Sequence, residues 1–272
     1  MRKVKKMKRN KNKNNGGLKI GQSITINCQG EQVIIDKMEK KALIWLDPQS
    51  QVEIPFGELE YDVSPSYPKG IKEILTIFEN PVGVIVKSKR KKVFSVHGKK
   101  KRTWLYSVSR KEFLKKELEN VVIGETYFAP IYSFAPWGIF VKIGNLIALC
   151  HCTEVSRAKI YELQNYFKIG EKIKVKVVSK ETYADYYRIS VSRKQTATPE
   201  PETYIVGDLI DATITSRLNY DSYFCEINPA QKGIYHVTGG EKLKVGQKVY
   251  GVLTKIEPEG LRLRELFSEV KV

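Results

Sequence analysis

Cys150-His151-Cys152 is the densest set of potential metal ligands in the chain. On a strand, neighbouring side chains point to opposite faces, so three adjacent residues cannot converge on one ion. No second ligand pair stands at zinc-site spacing. Both cysteines therefore read as small core residues, with His151 on the opposite face. Catalytic material is equally thin. There are three histidines, His97, His151 and His236. Glu154, Glu181 and Asp185 are single acids without a visible pair, and there is no Gly-rich phosphate loop of the Walker or Rossmann type. The expectation is a binder rather than an enzyme, with no cofactor and no metal.

What the chain has in excess is positive charge. Its 272 residues carry a formal net charge of +17. Residues 1–17 hold eight Lys/Arg and no acid. Residues 81–111 hold eleven, among them Lys87, Lys89, Arg90, Lys91, Lys92, Lys99, Lys100, Lys101 and Arg102, again with no acid. The remainder is net −2. A localised positive field concentrates a polyanion near the protein. In the tail, a plain solubility role stays open. In 81–111 the cations bracket strand-like stretches, Val82–Val86 and Val93–Val96, so folded backbone should hold them in place.

Aromatic rings accompany some of this charge. If Ile139, Val141 and Ile143 fill a core, then Phe140 and Lys142 face outward. An outward ring beside cations is how small β-barrels hold single-stranded nucleic acid. Lys172, Lys174 and Lys176 repeat every second residue, about 6.6 Å apart along one strand face. That spacing suits phosphate tracking, and a merely solvated face remains the alternative.

These residues need strands to position them, and strand signals dominate. Period-two runs occur at Ser23–Cys28, Gln32–Asp36, Ala42–Leu46, Gly138–Ile143, Arg188–Ser192, Lys248–Leu253 and Gly260–Arg264. One amphipathic helix is expected at Lys111–Leu118, with Phe113, Leu114 and Leu118 on one face. Shorter helices are expected near Gly70–Phe78 and Lys159–Phe167. A flexible linker is expected at Gln195–Thr203, free enough to let the C-terminal module reorient. Internal similarity sets the architecture. Ile123-Gly124-Glu125-Thr126 recurs as Val206-Gly207-Asp208-Leu209. Cys150-His151-Cys152-Thr153 recurs as Tyr235-His236-Val237-Thr238. The reading is all-β: a basic disordered tail (1–17) and three tandem five-stranded barrels of the OB type, at 18–111, 122–194 and 204–266, with short connecting helices.

The middle module has a recognisable order of blocks. Gly124-Glu125-Thr126-Tyr127 is followed by Trp137-Gly138-Ile139-Phe140-Val141, then Ala148 to Glu154, Gly170 to Val177, and Arg188 to Ser192. It resembles the S1 RNA-binding domain, the OB-fold module repeated in bacterial ribosomal protein S1. The third module is similar through Gly233-Ile234-Tyr235-His236-Val237-Thr238. The first is the most divergent, with Pro55 where the family has His and a long insertion at about Tyr61 to Asn80. The resemblance implies RNA contact by Trp137, His151 and Arg188, to which the residue pattern adds Phe140, Lys142, Lys172 and Lys174. Corresponding candidates are Tyr220, Tyr223, Phe224 and His236 in the third module. In the first they are Trp45, Phe56 and the cations of 87–102.

The leading expectation is a cytoplasmic protein that binds single-stranded RNA across tandem modules, associated with the ribosome or mRNA. Two alternatives stand beside it: an adaptor whose barrels bind protein while its basic part docks on RNA, and a single-stranded DNA binder. Scattered cysteines and the absence of any apolar run of about 18 residues point away from secretion and from a membrane.

Overall fold

A computed structural model describes residues 17–27, 33–59, 77–79, 81–96, 99–183, 186–198, 203–239 and 242–266, with backbone alone for 94–96 and 99–101. Most of the basic tail, the expected helix near Gly70, most of the insertion, His97, Asp185 and the side chains of Lys99, Lys100 and Lys101 lie outside the described residues.

The described chain is strand-rich, and two compact units divide it near residue 113. The first unit holds one six-stranded sheet built from β1 (Ser23–Ile26), β2 (Val33–Asp36), β3 (Lys41–Asp47), β4 (Ser50–Pro55), β5 (Val82–Val96) and β6 (Lys99–Ser109). Its order is β1-β5-β6-β4-β3-β2. In the second unit, β7 (Thr126–Ala135), β8 (Gly138–Ile143), β9 (Leu146–His151), β10 (Lys172–Thr182) and β11 (Tyr187–Ser192) close a barrel. A second barrel is closed by β12 (Leu209–Arg217), β13 (Ser222–Asn228), β14 (Gln231–His236), β15 (Lys248–Glu257) and β16 (Gly260–Glu265).

All three sheets follow one plan. In each, the third main strand runs parallel to the last: β9 with β11, β14 with β16, β4 with β6. In the barrels one long first strand pairs with both neighbours. It manages this through a bulge, between Ile131 and Ser133 in β7 and between Ile214 and Ser216 in β12. A bulge bends a strand sharply enough to close a small sheet on itself. In the first unit two short strands, β1 and β2, stand at opposite edges of the sheet where the barrels have one strand.

Period-two patterning builds the cores. Ile139, Val141, Cys150, Val175, Val177 and Ile189 are buried inside the middle barrel, and Ile214, Cys225, Leu253 and Leu263 inside the third. Helix α1 (Arg110–Asn120) buries Leu114 and Leu118, while Phe113 is half-buried over Gly83. Lys180 closes the end of this helix by donating to the carbonyls of Leu118 and Val121, at 3.1 and 2.7 Å. Two single-turn helices lie between β9 and β10, α2 (Cys152–Val155) and α3 (Leu163–Tyr166). The latter is all that forms of the helix expected over Lys159–Phe167. No helix among the described residues is long and apolar enough to cross a membrane.

The expected freedom of the linker needs correction. Arg193, at the end of the middle barrel, makes a two-pronged ion pair with Glu226 of β13, at 2.8 and 2.7 Å. Tyr166 donates to the same carboxylate at 3.0 Å, and the Arg157 amide donates to the Pro229 carbonyl at 2.9 Å. A charge-assisted pair of this geometry fixes orientation as well as distance. The two barrels are thus bonded together ahead of the 195–203 segment rather than left free to swing on it.

Candidate nucleic-acid interface

The outer wall of the middle barrel is laid out by register. Phe140 lies opposite Leu149, Lys142 opposite Ile147, and Gly138 opposite His151. Cross-strand partners share a face, so these side chains stand together on the outside while Ile139 and Val141 fill the core. Phe140 is half-buried there rather than sealed. Parallel pairing of β9 with β11 adds Ser190 beside Leu149 and brings Arg188 to the same side. The result is an open groove of about 670 Å³ whose lining includes Trp137, Phe140, Leu149, Tyr186, Arg188 and Glu181.

Trp137 reaches this wall by a route that alternation does not describe. It sits in the two-residue turn between β7 and β8 and is 53% exposed. Gly138 is required for another reason. A Cβ at this position would stand 2.3 Å from the Cys150 carbonyl oxygen, so glycine lets β8 press against β9.

His151 is exposed, the last residue of β9. Its Nδ1 caps α2, accepting from the Thr153 amide at 3.4 Å and lying 2.8 Å from the Thr153 hydroxyl. With Nδ1 so engaged, the neutral ring carries its proton on Nε2. Because the strand stops here, Cys152 starts a helix and is exposed, against the expectation of a core residue. Cys150 is buried as expected, and burial pushes its thiol up to about 11. Among the described residues no cluster of three or more His, Cys, Asp or Glu could hold a metal ion.

Rings that sequence reasoning missed complete the wall. Tyr183 and Tyr186 stack at 4.3 Å between centroids, with the Arg188 guanidinium 6.0 and 5.7 Å from them. Tyr132, the bulged residue of β7, lies 4.5 Å under the Lys142 ammonium. Glu181 is paired in register with Arg188, and its carboxylate accepts from the Tyr183 hydroxyl at 2.6 Å. That hydrogen bond holds the Tyr183 pKa above its usual value. The signal for these rings is the sequence leading into β11, where Tyr183, Tyr186 and Tyr187 precede Arg188, and the bulge that releases Tyr132 from alternation.

Lys172 and Lys174 do not join the wall. They are exposed on β10 opposite Pro130 and Phe128 of β7, outside the groove. Charge spacing along a strand defines their common face but not which side of the barrel it covers.

The third barrel carries a reduced version. Phe224 is half-buried opposite Ile234, and Ser222 stands opposite His236, with Ser222 Oγ 2.9 Å from His236 Nδ1. Arg262 and Arg264 of β16 lie beside Ile234 and His236. They supply cations that sequence reasoning missed for lack of a leading Arg on this strand. Burial, together with those two arginines, holds the His236 pKa below its usual value. The groove is only about 90 Å³ and includes Glu257 and Glu259. Glu257 already holds Arg262 at 2.9 Å and Lys255 at 3.0 Å. Tyr220 is 73% exposed in the β12–β13 turn, its ring 5.7 Å from the Arg217 guanidinium. Tyr223 does not stand on the wall, against expectation. It is 2% exposed, one of the core residues, and its hydroxyl accepts from the Leu243 amide at 3.2 Å.

In the first unit the equivalent outer wall is occupied differently. Leu43 lies opposite Glu53, and Glu53 is held by Lys41 at 3.3 Å and Arg90 at 3.1 Å. Trp45 is exposed on β3, opposite Gln51, while Phe56 packs on the core. Lys89, Lys91, Lys92 and Arg102 are exposed along the β5–β6 hairpin.

A profile of the S1 RNA binding domain family matches residues 121–194. This segment is an S1 domain. The small ribosomal subunit protein bS1 of Staphylococcus haemolyticus (strain JCSC1435) is 31% identical to this chain over 160 residues, covering 54% of it and 40% of that protein. The 4-hydroxy-3-methylbut-2-enyl diphosphate reductase of Fusobacterium nucleatum is 27% identical over 181 residues, covering 61% of this chain and 22% of the reductase. A solved multidomain protein with nucleic acid binding domains from Streptococcus pneumoniae covers 93% of this chain and 76% of its own, at 12% identity and a TM-score of 0.31. The chain thus spans about 40% of the length of the bS1 protein from S. haemolyticus.

Proposed function

We propose that the protein binds single-stranded RNA through the outer wall of its S1 domain, with the third barrel as a weaker second site. The observation that carries this reading is the open groove holding Trp137, Phe140, Tyr186 and Arg188 together. Bases stack on exposed rings, Arg188 and Lys142 meet phosphate, and recognition is tolerant of sequence because every base has a stackable face. The bS1 relatives support placing this activity at the ribosome or on mRNA, in the cytoplasm. The working segments are a basic tail (1–17) and modules at 18–111, 122–194 and 204–266. The protein acts as a binder rather than a catalyst, and its match to a reductase covers only 22% of that enzyme.

Fluorescence anisotropy with the full chain tests this. Single-stranded RNA should bind with an affinity that falls steeply with salt, and Arg188→Ala combined with Trp137→Ala should weaken it at least tenfold. Equal binding by the double variant would remove the wall from the account. Competition with DNA of matched sequence reads out the role of the 2′-OH, which stacking does not sense.

A second reading is an adaptor whose OB-type modules bind protein while its basic N-terminal part docks on RNA. It is favoured by Glu53 in the first unit and Glu257 in the third-barrel groove, because these acids already engage the neighbouring cations Lys41, Arg90, Lys255 and Arg262 that phosphate would need. It predicts that Phe224→Ala leaves RNA affinity unchanged.

A further inference from the structure

The β5–β6 hairpin outruns the sheet that anchors it. β5 is bonded to β1 and the residues just before it through Val82–Val86, and β6 pairs with β4 from Trp104 to Ser107. Between these points Lys89–Val96 pairs only with Lys99–Tyr106, so most of this stretch is a two-stranded ribbon. Its two-stranded part, Lys92–Val96 with Lys99–Thr103, is four steps of strand rise or about 13 Å long, and Lys89 and Lys91 stand at its base, opposite Tyr106 and Trp104. Residues 87–102 contain nine Lys/Arg and no acid.

Charge on a ribbon edge is a common guard against edge-to-edge pairing. Here the register places it on the faces as well. Lys89, Lys91 and Val93 lie with Tyr106, Trp104 and Arg102 on one face, and Arg90 and Lys92 with Leu105 and Thr103 on the other. On the first face the Trp104 ring is already covered: the ammonium groups of Lys89 and Lys91 stand 5.6 and 4.9 Å from its centroid. A half-buried ring capped by two cations is not a platform for a base. It positions the lysines. Lys89, Lys91 and Arg102 have no acidic partner among the described residues, whereas Lys87 is taken by Glu112 at 2.5 Å and Arg90 by Glu53.

Among the described side chains, the arm therefore offers cations on a ribbon some two strands wide, with its one described ring, Trp104, already capped. That chemistry meets two rows of phosphates at fixed spacing rather than a splayed single strand. We propose that the β5–β6 arm is a separate site for the phosphate backbone of a nucleic-acid double helix, read by charge and shape and not by bases. It is independent of the single-strand reading of the S1 wall.

The test uses the full chain and three probes of about 20 nucleotides or base pairs: an RNA duplex, a DNA duplex and a single-stranded RNA. The variant is Lys89→Glu/Lys91→Glu/Arg102→Glu, with the Gln triple variant as a second version should the first fail to fold by circular dichroism. Affinity for at least one duplex should fall tenfold or more. The slope of log affinity against log salt should shrink by about 3, one for each phosphate that the variant leaves unneutralised. Single-strand affinity should change less than threefold. Phe140→Ala should do the reverse, so failure of the wall and failure of the arm are distinguishable. Comparison of the two duplexes shows which helix is preferred. The proposal is overturned if duplex binding survives the triple variant, or if single-strand and duplex affinities fall in equal proportion.

Discussion

Replacing Glu226 by Gln should unfasten the two barrels at the point where they are bonded. The Glu226 side chain is 4% exposed and that of Arg193 15%, with two guanidinium–carboxylate bonds at 2.8 and 2.7 Å. Burial alone would lower the Arg193 pKa, but hydrogen bonding and charge attraction to Glu226 outweigh it and hold it above its usual value. Removing the carboxylate charge leaves a buried cation uncompensated. Breaking one side of such a pair costs about 3–5 kcal/mol. The Gln carbonyl still accepts one guanidinium N–H, which favours the lower end. For a unit of this size each kcal/mol moves the melting temperature about 2–4 °C, so about 3 kcal/mol corresponds to a drop of roughly 6–12 °C. Differential scanning calorimetry of the full chain reads this directly. Arg193→Met/Glu226→Met should recover most of the loss, since well-packed apolar residues can replace a buried ion pair without penalty. A shift under about 2 °C for Glu226→Gln would refute the reasoning. It would mean the pair is solvated and the barrels are held by something else.

Thiol titration should separate the cysteines by burial. Cys150 and Cys225, pushed up to about 11 and about 12 by burial, should resist a thiol reagent at pH 8 in a Cys28→Ser background, while exposed Cys152 reacts at once. For His236 the folded pKa lies below that of the unfolded chain because burial and then Arg262 and Arg264 disfavour the imidazolium. The unfolded state therefore takes up the proton first, and this contribution to stability is present above about pH 6.5 and is lost as pH falls through the folded pKa. An NMR titration should place His236 below about 6.5 in the free protein and raise it when RNA phosphate binds nearby. Gly138→Ala should destabilise the S1 domain by more than about 2 kcal/mol in urea, because its new Cβ meets the Cys150 carbonyl, which is backbone and cannot step aside.

Strand positions and inside–outside alternation are legible in the sequence because period two is a direct consequence of strand geometry: Gly138–Ile143 forms as read, with Phe140 and Lys142 outside. The failures fall where the period breaks. Alternation carries Cys152 one residue past the end of its strand, into the start of a helix. An aromatic cluster suggests a surface role for Tyr223, whereas Phe224 next to it holds the outward position. Trp137 and Tyr132 are exposed by a turn and a bulge, neither of which alternation describes. Arg193 reads as the end of a repeat motif, and nothing local in sequence announces a partner 33 residues away. Lys180 and Glu181 are interchangeable in sequence as the position opposite Arg188. Register assigns that role to Glu181 and gives Lys180 to the end of α1.

The most direct measurement is the affinity of Phe140→Ala for single-stranded RNA by anisotropy, with circular dichroism and melting temperature taken on the same samples. Stacking of a base on an exposed ring is worth about 1–3 kcal/mol, so binding should weaken about 5- to 150-fold while the barrel, whose core is Ile139, Val141 and Cys150, stays folded. Unchanged affinity in a folded variant would contradict the claim that this wall is where RNA lies.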